Sequence, residues 1–491
     1  MRVAETKWND SRIRLWQIIF LLAIIQFIVA FFTDPMVFTF DESMWQYIGR
    51  NWIRNGLVPY QGGVDNKSPL IFLIYGISDK FFGVSYWFPR LFGIIVQSLG
   101  ILYLYKISVK TINRRAGIYS ICIYGLALCW HSTGGKYVSY TETYAVTAII
   151  MSVYFSMICQ ENKSAFIGGL WAGLGFGFRI TAIFGMLPLF IFVLKRNRKS
   201  GILFLLGALT SVLLLILFAR SAGIQLHNLV FYGILDNFGA GSTTDHPLAW
   251  KIQQFAAGFF YSEIILFYPA VLGYFMLVKK MDFWKGWLIC ELAGILFIGT
   301  FDRSHFKNLL PVISFISAYM VNYLTENYPL PPKKIMLGIW LMFFPKTFEP
   351  LFAMKKLFNS KNSIQTSEMT PASLDDEYSK KLVGLWIRDH TLPTDKVYVA
   401  GYGAQIQLYS ERISPSIYFN VTQTLPAKKR LFQDLVANQP DLLVIPVFEK
   451  YFNTVDADVR LFIQQRVNKN YILDTGIYNY NIFKFKKPIG P

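Results

Sequence analysis

Residues 16–32 read WQIIFLLAIIQFIVAFF, a run without a single charged side chain. A helix needs roughly 17–25 mostly apolar residues to cross the hydrocarbon core of a bilayer, and this run meets that length. Arg12 and Arg14 precede it, as basic residues precede a secretory signal. No small-x-small cleavage site follows, so it is expected to stay in place as an uncleaved first span.

Similar runs recur through the first two thirds of the chain. About eleven spans are expected, at 16–32, 86–107, 116–130, 144–159, 165–178, 181–194, 201–219, 255–278, 284–301, 309–324 and 335–352. Residues 68–83 are amphipathic and interrupted by Asp79 and Lys80, which suits the membrane interface better than its core. Composition agrees: the 491 residues are 53% hydrophobic and only 16% charged, against about 25% charged in soluble domains. The net charge of +18 would suit a nucleic-acid binder only if the basic residues shared one soluble face. They stand in short clusters between apolar runs, so no nucleic-acid partner is expected.

Those clusters set the threading, because cytoplasmic loops near span ends are enriched in Lys and Arg. Arg12/Arg14, Lys106/Lys110/Arg114/Arg115, Lys163, Lys195/Arg196/Arg198/Lys199, Lys279/Lys280/Lys285 and Lys333/Lys334 all fall on one side if the N-terminus is cytoplasmic. Loops 33–67, 131–143, 220–254 and 302–307, with everything after residue 351, then face outward. From 355 the composition turns mixed and polar, with helix-like and strand-like segments alternating at 374–390, 396–400, 427–438 and 442–447. The expectation is a polytopic α-helical membrane protein: a membrane domain over 1–352, carrying outer loops 33–85 and 220–254, and a small extracytoplasmic α/β domain over 353–491. The four cysteines lie in or beside apolar segments without metal-ligand spacing, so free thiols are expected. Gly169, Gly173 and Gly177, four apart on one span, allow close helix approach and call for no nucleotide.

Chemistry-bearing residues gather at the outer ends of spans. Asp41 and Glu42 follow the first span; in isolation they make an acidic wet loop, while two adjacent carboxylates at an interface also suit a general base, Asp41, with Glu42 orienting substrate or fold. In the run Val58-Pro59-Tyr60 to Asp65-Asn66-Lys67-Ser68-Pro69, Lys67 opens a helix. Such a position serves either a snorkelling lysine or a phosphate ligand, where the ammonium joins free backbone N–H groups. Glu142 begins a later span, where alone it complements the helix dipole. In Phe301-Asp302-Arg303-Ser304-His305-Phe306-Lys307, Arg303 and His305 offer a phosphate clamp, or Asp302 neutralises Arg303. Arg90 and Arg179 read as structural. His246, before a proline, has no partner at ligand spacing, so no metal or other cofactor is assigned, although a divalent metal stays open.

In this order, Asp41-Glu42, Pro59-Tyr60, Asp65 to Pro69, Glu142, the Gly173–Ile180 region and Arg303 to Phe306 with Pro311 resemble the GT-C superfamily of polyprenyl-phosphate-sugar glycosyltransferases, which contains protein O-mannosyltransferases and lipid A aminoarabinose transferases. The resemblance implies a multi-pass cell-membrane glycosyltransferase with a polyprenyl-phosphate-linked sugar donor, a lipid, glycan or protein acceptor, and membrane lipids around it. It also implies Asp41, with Glu42, in the catalytic role, and Tyr60, Lys67, Glu142, Arg303 and His305 in substrate binding. Where the family commonly has Lys-Pro-Pro this chain has Lys67-Ser68-Pro69, and where it often has Lys after a glycine-rich span this chain has Arg179. The competing class is a multi-span transporter or lipid flippase, which should put ionisable residues at the midplane on broken helices. A scaffold carrying an outer domain is a third.

Overall fold

The computed structural model describes residues 11–32, 38–129, 137–159, 161–235, 248–261, 267–278, 282–299, 301, 303–328, 331, 334, 337–338, 376–420, 425–447 and 457–486. Its helices are α1 (Ser11–Phe32), α2 (Phe40–Asn55), α3 (Pro69–Phe82), α4 (Trp87–Thr111), α5 (Arg114–Ala127), α6 (Thr141–Val153), α7 (Asn162–Phe178), α8 (Ile183–Arg196), α9 (Arg198–Ser221), α10 (Leu226–Val230), α11 (Leu248–Tyr261), α12 (Tyr268–Leu277), α13 (Phe283–Ile298), α14 (Leu310–Asn327), α15 (Asp376–His390), α16 (Ala404–Ser410), α17 (Leu425–Ala437) and α18 (Ala457–Asn470). Strands β1 (Val397–Val399), β2 (Leu442–Pro446), β3 (Tyr471–Ile477) and β4 (Tyr480–Phe485) form a sheet of order β1-β2-β4-β3. The fold is thus helical, with several apolar helices and one small sheet.

The chain divides into two compact units: Met1–Asp34, Arg90–Leu215 and His246–Met354 in the first, and Pro35–Pro89, Ile216–Asp245 and Lys355–Pro491 in the second. Among the described residues four helical stretches of the chain are long and apolar enough to cross a membrane, namely Trp87–Thr111, Thr141–Ile158, Arg198–Ser221 and Ser304–Asn327. Along α9 the side chains Ile202, Leu205, Leu209, Leu213 and Leu217 stay exposed. Their three-to-four spacing makes one apolar stripe, as lipid contact requires. The opposite face of α9 meets α7 at backbone distance: a Cβ on Gly169 would come within 2.0 Å of the Phe204 carbonyl oxygen, and one on Gly173 within 2.5 Å of that of Ala208. The run at 255–278 is described as two helices, α11 and α12, with 262–266 between them outside the description. The span expected at 335–352 lies almost wholly outside the described residues.

The second unit gathers residues 35–89, 216–245 and 355–491, and the sheet lies in it. Helix α2 starts with a capping box, Thr39 receiving the Glu42 N–H while the Glu42 carboxylate receives the Thr39 N–H at 3.0 Å, and it stops at Gly56 in the left-handed region. Reciprocal capping of this kind satisfies two otherwise orphaned donors. Helix α3 is capped by Ser68 with Pro69 in its first turn, a position where a missing N–H costs nothing. The two helices cross where Gly49 faces Gly76; a Cβ on Gly49 would stand 2.4 Å from the Phe72 carbonyl oxygen. Residues 68–83, expected at the interface, here place Asp79 in the interior of this unit, fully buried, between Arg50 at 2.7 Å and Arg54 at 2.7 Å. In β2, Leu442 and Val444 join one apolar cluster and Leu443 the other, the alternation of a strand covered on both faces.

Candidate active site

Asp41 and Glu42 occupy the first turn of α2, yet their environments differ. Glu42 is fully buried; besides its cap it receives the Tyr75 hydroxyl at 3.4 Å. Asp41 is only partly buried. One turn further along the same face, the Trp45 indole N–H donates to the Asp65 carboxylate at 2.7 Å. Residues four apart are neighbours on a helix surface. That bond therefore ties the Asp41 end of α2 to the segment carrying Lys67.

The 58–68 loop is itself tightly held. Tyr60 adopts a positive φ of 70°, uncommon for a bulky residue. Its hydroxyl donates to the Lys67 carbonyl at 2.7 Å, its N–H to the Gly63 carbonyl at 2.9 Å, and its ring stacks on Tyr232 at 5.7 Å. Burial, joined by the Asp65 charge, pushes the Tyr60 phenol far above its ordinary pKa, so it stays a proton donor. Tyr60 thus fixes the backbone of Lys67, with its own hydroxyl committed inside the protein. The Lys67 side chain is half-buried, within hydrogen-bond reach of Asn66, and stands directly before the capped start of α3. The Lys67 ammonium can hold a phosphate by its charge, but the first turn of α3 adds no open donor, since Pro69 has no N–H and those of Leu70 and Ile71 donate to Ser68.

The first unit holds a separate buried polar cluster at the start of α6. Glu142, 2% exposed, pairs with Arg179 and receives the hydroxyls of Ser304 at 3.0 Å and Thr141 at 3.0 Å. Arg179 also donates to Thr181 at 2.8 Å. Lys307 is 1% exposed and donates to Thr143 and to the Tyr137 carbonyl, the latter at 3.3 Å. Glu291, buried in α13, receives the Trp287 indole N–H at 3.0 Å. Arg90 is likewise buried and donates to the Ala30 carbonyl at 2.8 Å. His305 is half-buried in the 3-10 turn before α14; the Arg303 side chain, Asp302 and His246 lie outside the described residues.

Two members of this cluster carried no assignment from sequence. Lys307 stood inside the 301–307 motif, overshadowed by Arg303 and His305. Glu291 interrupts an apolar run, and an ionisable residue within a membrane helix is itself a signal of use. Among the described residues no group of three His, Cys, Asp or Glu side chains could hold a metal ion.

Residues 66–221 match the family model described as dolichyl-phosphate-mannose-protein mannosyltransferase, a segment that includes Lys67, Glu142 and Arg179. No curated protein matches the chain in sequence. Among solved structures, ArnT from Cupriavidus metallidurans bound to undecaprenyl phosphate is 12% identical with a TM-score of 0.60, over 98% of this chain and 100% of that one. The same protein in its apo state gives 0.58 at 12% identity, over 96% and 97%. The apo oligosaccharyltransferase of Archaeoglobus fulgidus gives 0.54 at 13% identity, over 96% of this chain and 75% of that one. At such identities the likeness is one of fold alone.

Proposed function

We propose that the chain is an integral membrane glycosyltransferase that moves a sugar from a polyprenyl-phosphate donor to a lipid, glycan or protein acceptor on the extracytoplasmic side. The observation that carries this reading is the tie between Trp45 and Asp65 at 2.7 Å, which holds a partly buried carboxylate and a helix-start lysine in one neighbourhood. Asp41 accepts the proton of an acceptor hydroxyl as its oxygen bonds to the sugar's anomeric carbon. The bond from that carbon to the phosphate oxygen breaks, and the electron pair leaves with the phosphate. Lys67 takes up the charge the phosphate gains. Tyr60 shapes the Lys67 loop, and Glu42 caps the helix that carries Asp41. Glu142 orders the start of α6, while Arg303 and His305 are assigned to the donor phosphate on their sequence context.

Support comes from the 66–221 match and from the shared fold of a protein solved with undecaprenyl phosphate bound. A lipid-linked donor also accounts for a chain with no nucleotide-binding glycine loop, since the sugar arrives already activated in the membrane. The accompanying topology has about eleven spans, a cytoplasmic N-terminus and residues 353–491 outside. The test supplies membranes containing the protein with defined polyprenyl-phosphate sugars and follows donor consumption. Turnover that rises with the amount of protein is expected; no consumption of any such donor overturns the reading in favour of a transporter. Reporter fusions after Lys199 and after Lys381 are expected to give opposite signals, and equal signals overturn the topology.

A further inference from the structure

Transfer needs an acceptor held near Asp41, and the C-terminal part of the second unit packs a side chain against Phe40, the residue before it. Strand β1 runs through Ala400 into Gly401-Tyr402-Gly403 and then into α16. Every residue from 397 to 410 is buried except Tyr402, which is 40% exposed. In α2, Glu42 to Asn51 are likewise all buried, while Phe40 and Asp41 are not. The Tyr402 ring packs edge to face on Phe40, centroids 5.1 Å apart at 68°. The residue that follows Phe40 is the proposed base.

The presentation of Tyr402 is built. Gly401 sits at φ +79°, and a Cβ on Gly403 would stand 2.4 Å from Val399 Cγ1. Both flanking positions therefore require glycine, and the turn they make pushes Tyr402 outward. The segment behind it is fastened to α2 and to the residues leading into it: Tyr409 packs on Phe38 at 6.2 Å, Arg50 donates to the Leu408 carbonyl at 2.9 Å, and the Ser414 N–H donates to the Tyr47 hydroxyl at 2.8 Å. A side chain held on rigid elements can position a reactant.

Resting on the glycosyltransferase reading above, we infer that Tyr402 is an acceptor-contacting residue that stacks on a saccharide ring and turns its hydroxyl toward Asp41. The face of an aromatic ring is electron-rich, and the C–H bonds on the flat side of a sugar ring present partial positive charge to it. Tyr402 takes no proton: the acceptor hydroxyl's proton goes to Asp41, the new bond is acceptor oxygen to anomeric carbon, and the phosphate leaves. The ligand class is a sugar, carried either on a lipid headgroup or on a free glycan.

The test uses the full-length protein in lipid nanodiscs with donor saturating. The acceptors are cellotetraose, a glycolipid bearing a glucose headgroup and a serine-containing peptide. Tyr402→Ala is expected to raise the KM for the saccharide acceptor about three- to tenfold, leaving the donor KM and the melting temperature unchanged; Tyr402→Phe, which keeps the ring, should stay within about twofold. The free tetrasaccharide and the glycolipid separate the two sources of the sugar. Equal loss toward donor and acceptor, no loss at all, or turnover with the peptide alone overturns the inference. Equilibrium binding of cellotetraose to wild type and Tyr402→Ala runs alongside. If wild type consumes no donor, the glycosyltransferase reading fails by itself, and binding that is the same in both proteins removes the saccharide contact as well.

Discussion

Helices α2 and α6 each begin with an acidic residue in the first turn, and the two starts are built differently. At α6 the single carboxylate, Glu142, is enclosed by Arg179, Ser304 and Thr141, 2% exposed. At α2 two carboxylates divide the work: Glu42 is sealed into a capping box, and Asp41 beside it is only partly buried. A carboxylate whose lone pairs are all claimed inside the fold is poorly placed to take a proton from a substrate. Pairing a buried structural acid with one nearer the surface lets the first hold the helix start while the second reaches solvent.

The comparison breaks first at Asp41. Asp41→Asn keeps size and most hydrogen bonding but cannot accept a proton, so transfer per inserted molecule is expected to fall about 10²–10⁴-fold, with expression and melting temperature near wild type. Full activity in that variant would remove Asp41 from the chemistry. Arg179→Met tests the other start. It strands a buried carboxylate, and breaking a buried pair from one side costs about 3–5 kcal/mol, which thermal denaturation in detergent should register. An unchanged melting curve would mean that Glu142 does not depend on its arginine.

Smaller effects sharpen the contrast. Lys67→Ala is expected to raise the donor KM about ten- to a hundredfold, as hydrogen bonds to charged groups contribute about 1.5–3 kcal/mol, while the fold stays intact; Arg303→Ala should move it in the same direction. Donor titration checks both, and wild-type affinity in the pair would dissolve the phosphate assignment. Thr39→Ala removes the α2 cap and should cost about 0.5–2 kcal/mol of stability. Glu42→Gln should cost less stability, because glutamine at that position still closes a capping box. Chemical denaturation ranks the two, and the reverse order would give Glu42 a role beyond capping.

Much of this was legible because lipid imposes a simple rule on sequence. The stretch 201–219 announces α9 by apolar length alone, and the glycines of α7 announce close packing, which Gly169 and Gly173 make against α9. The segments at 374–390, 396–400, 427–438 and 442–447 appear as α15, β1, α17 and β2. What stayed hidden depends on partners far apart in the chain. Asp79 looked like an interruption of an apolar segment because its arginines lie 25 and 29 residues earlier, on α2. The Tyr-rich ending hides the β3–β4 hairpin, whose pairing with β2 no local pattern reveals. For the candidate site, the sequence offers Asp41 and Lys67 as residue types, but not the Trp45–Asp65 bond that ties their elements. Lys307 was passed over because burial, unlike charge, cannot be read from a motif.

The crossing of α2 and α3 at Gly49 and Gly76 has a bearing on how this protein can change over generations. Backbone touches backbone there, with no side chain acting as a spacer. The gap between the helix that bears the proposed base and the one that follows the proposed phosphate ligand is therefore fixed by van der Waals radii, not by the sizes of neighbouring residues. Substitutions elsewhere on the two helices can reshape the surroundings of the proposed base and phosphate ligand while that separation holds. Such a crossing lets specificity drift without dragging the reactive geometry along, provided both glycines stay.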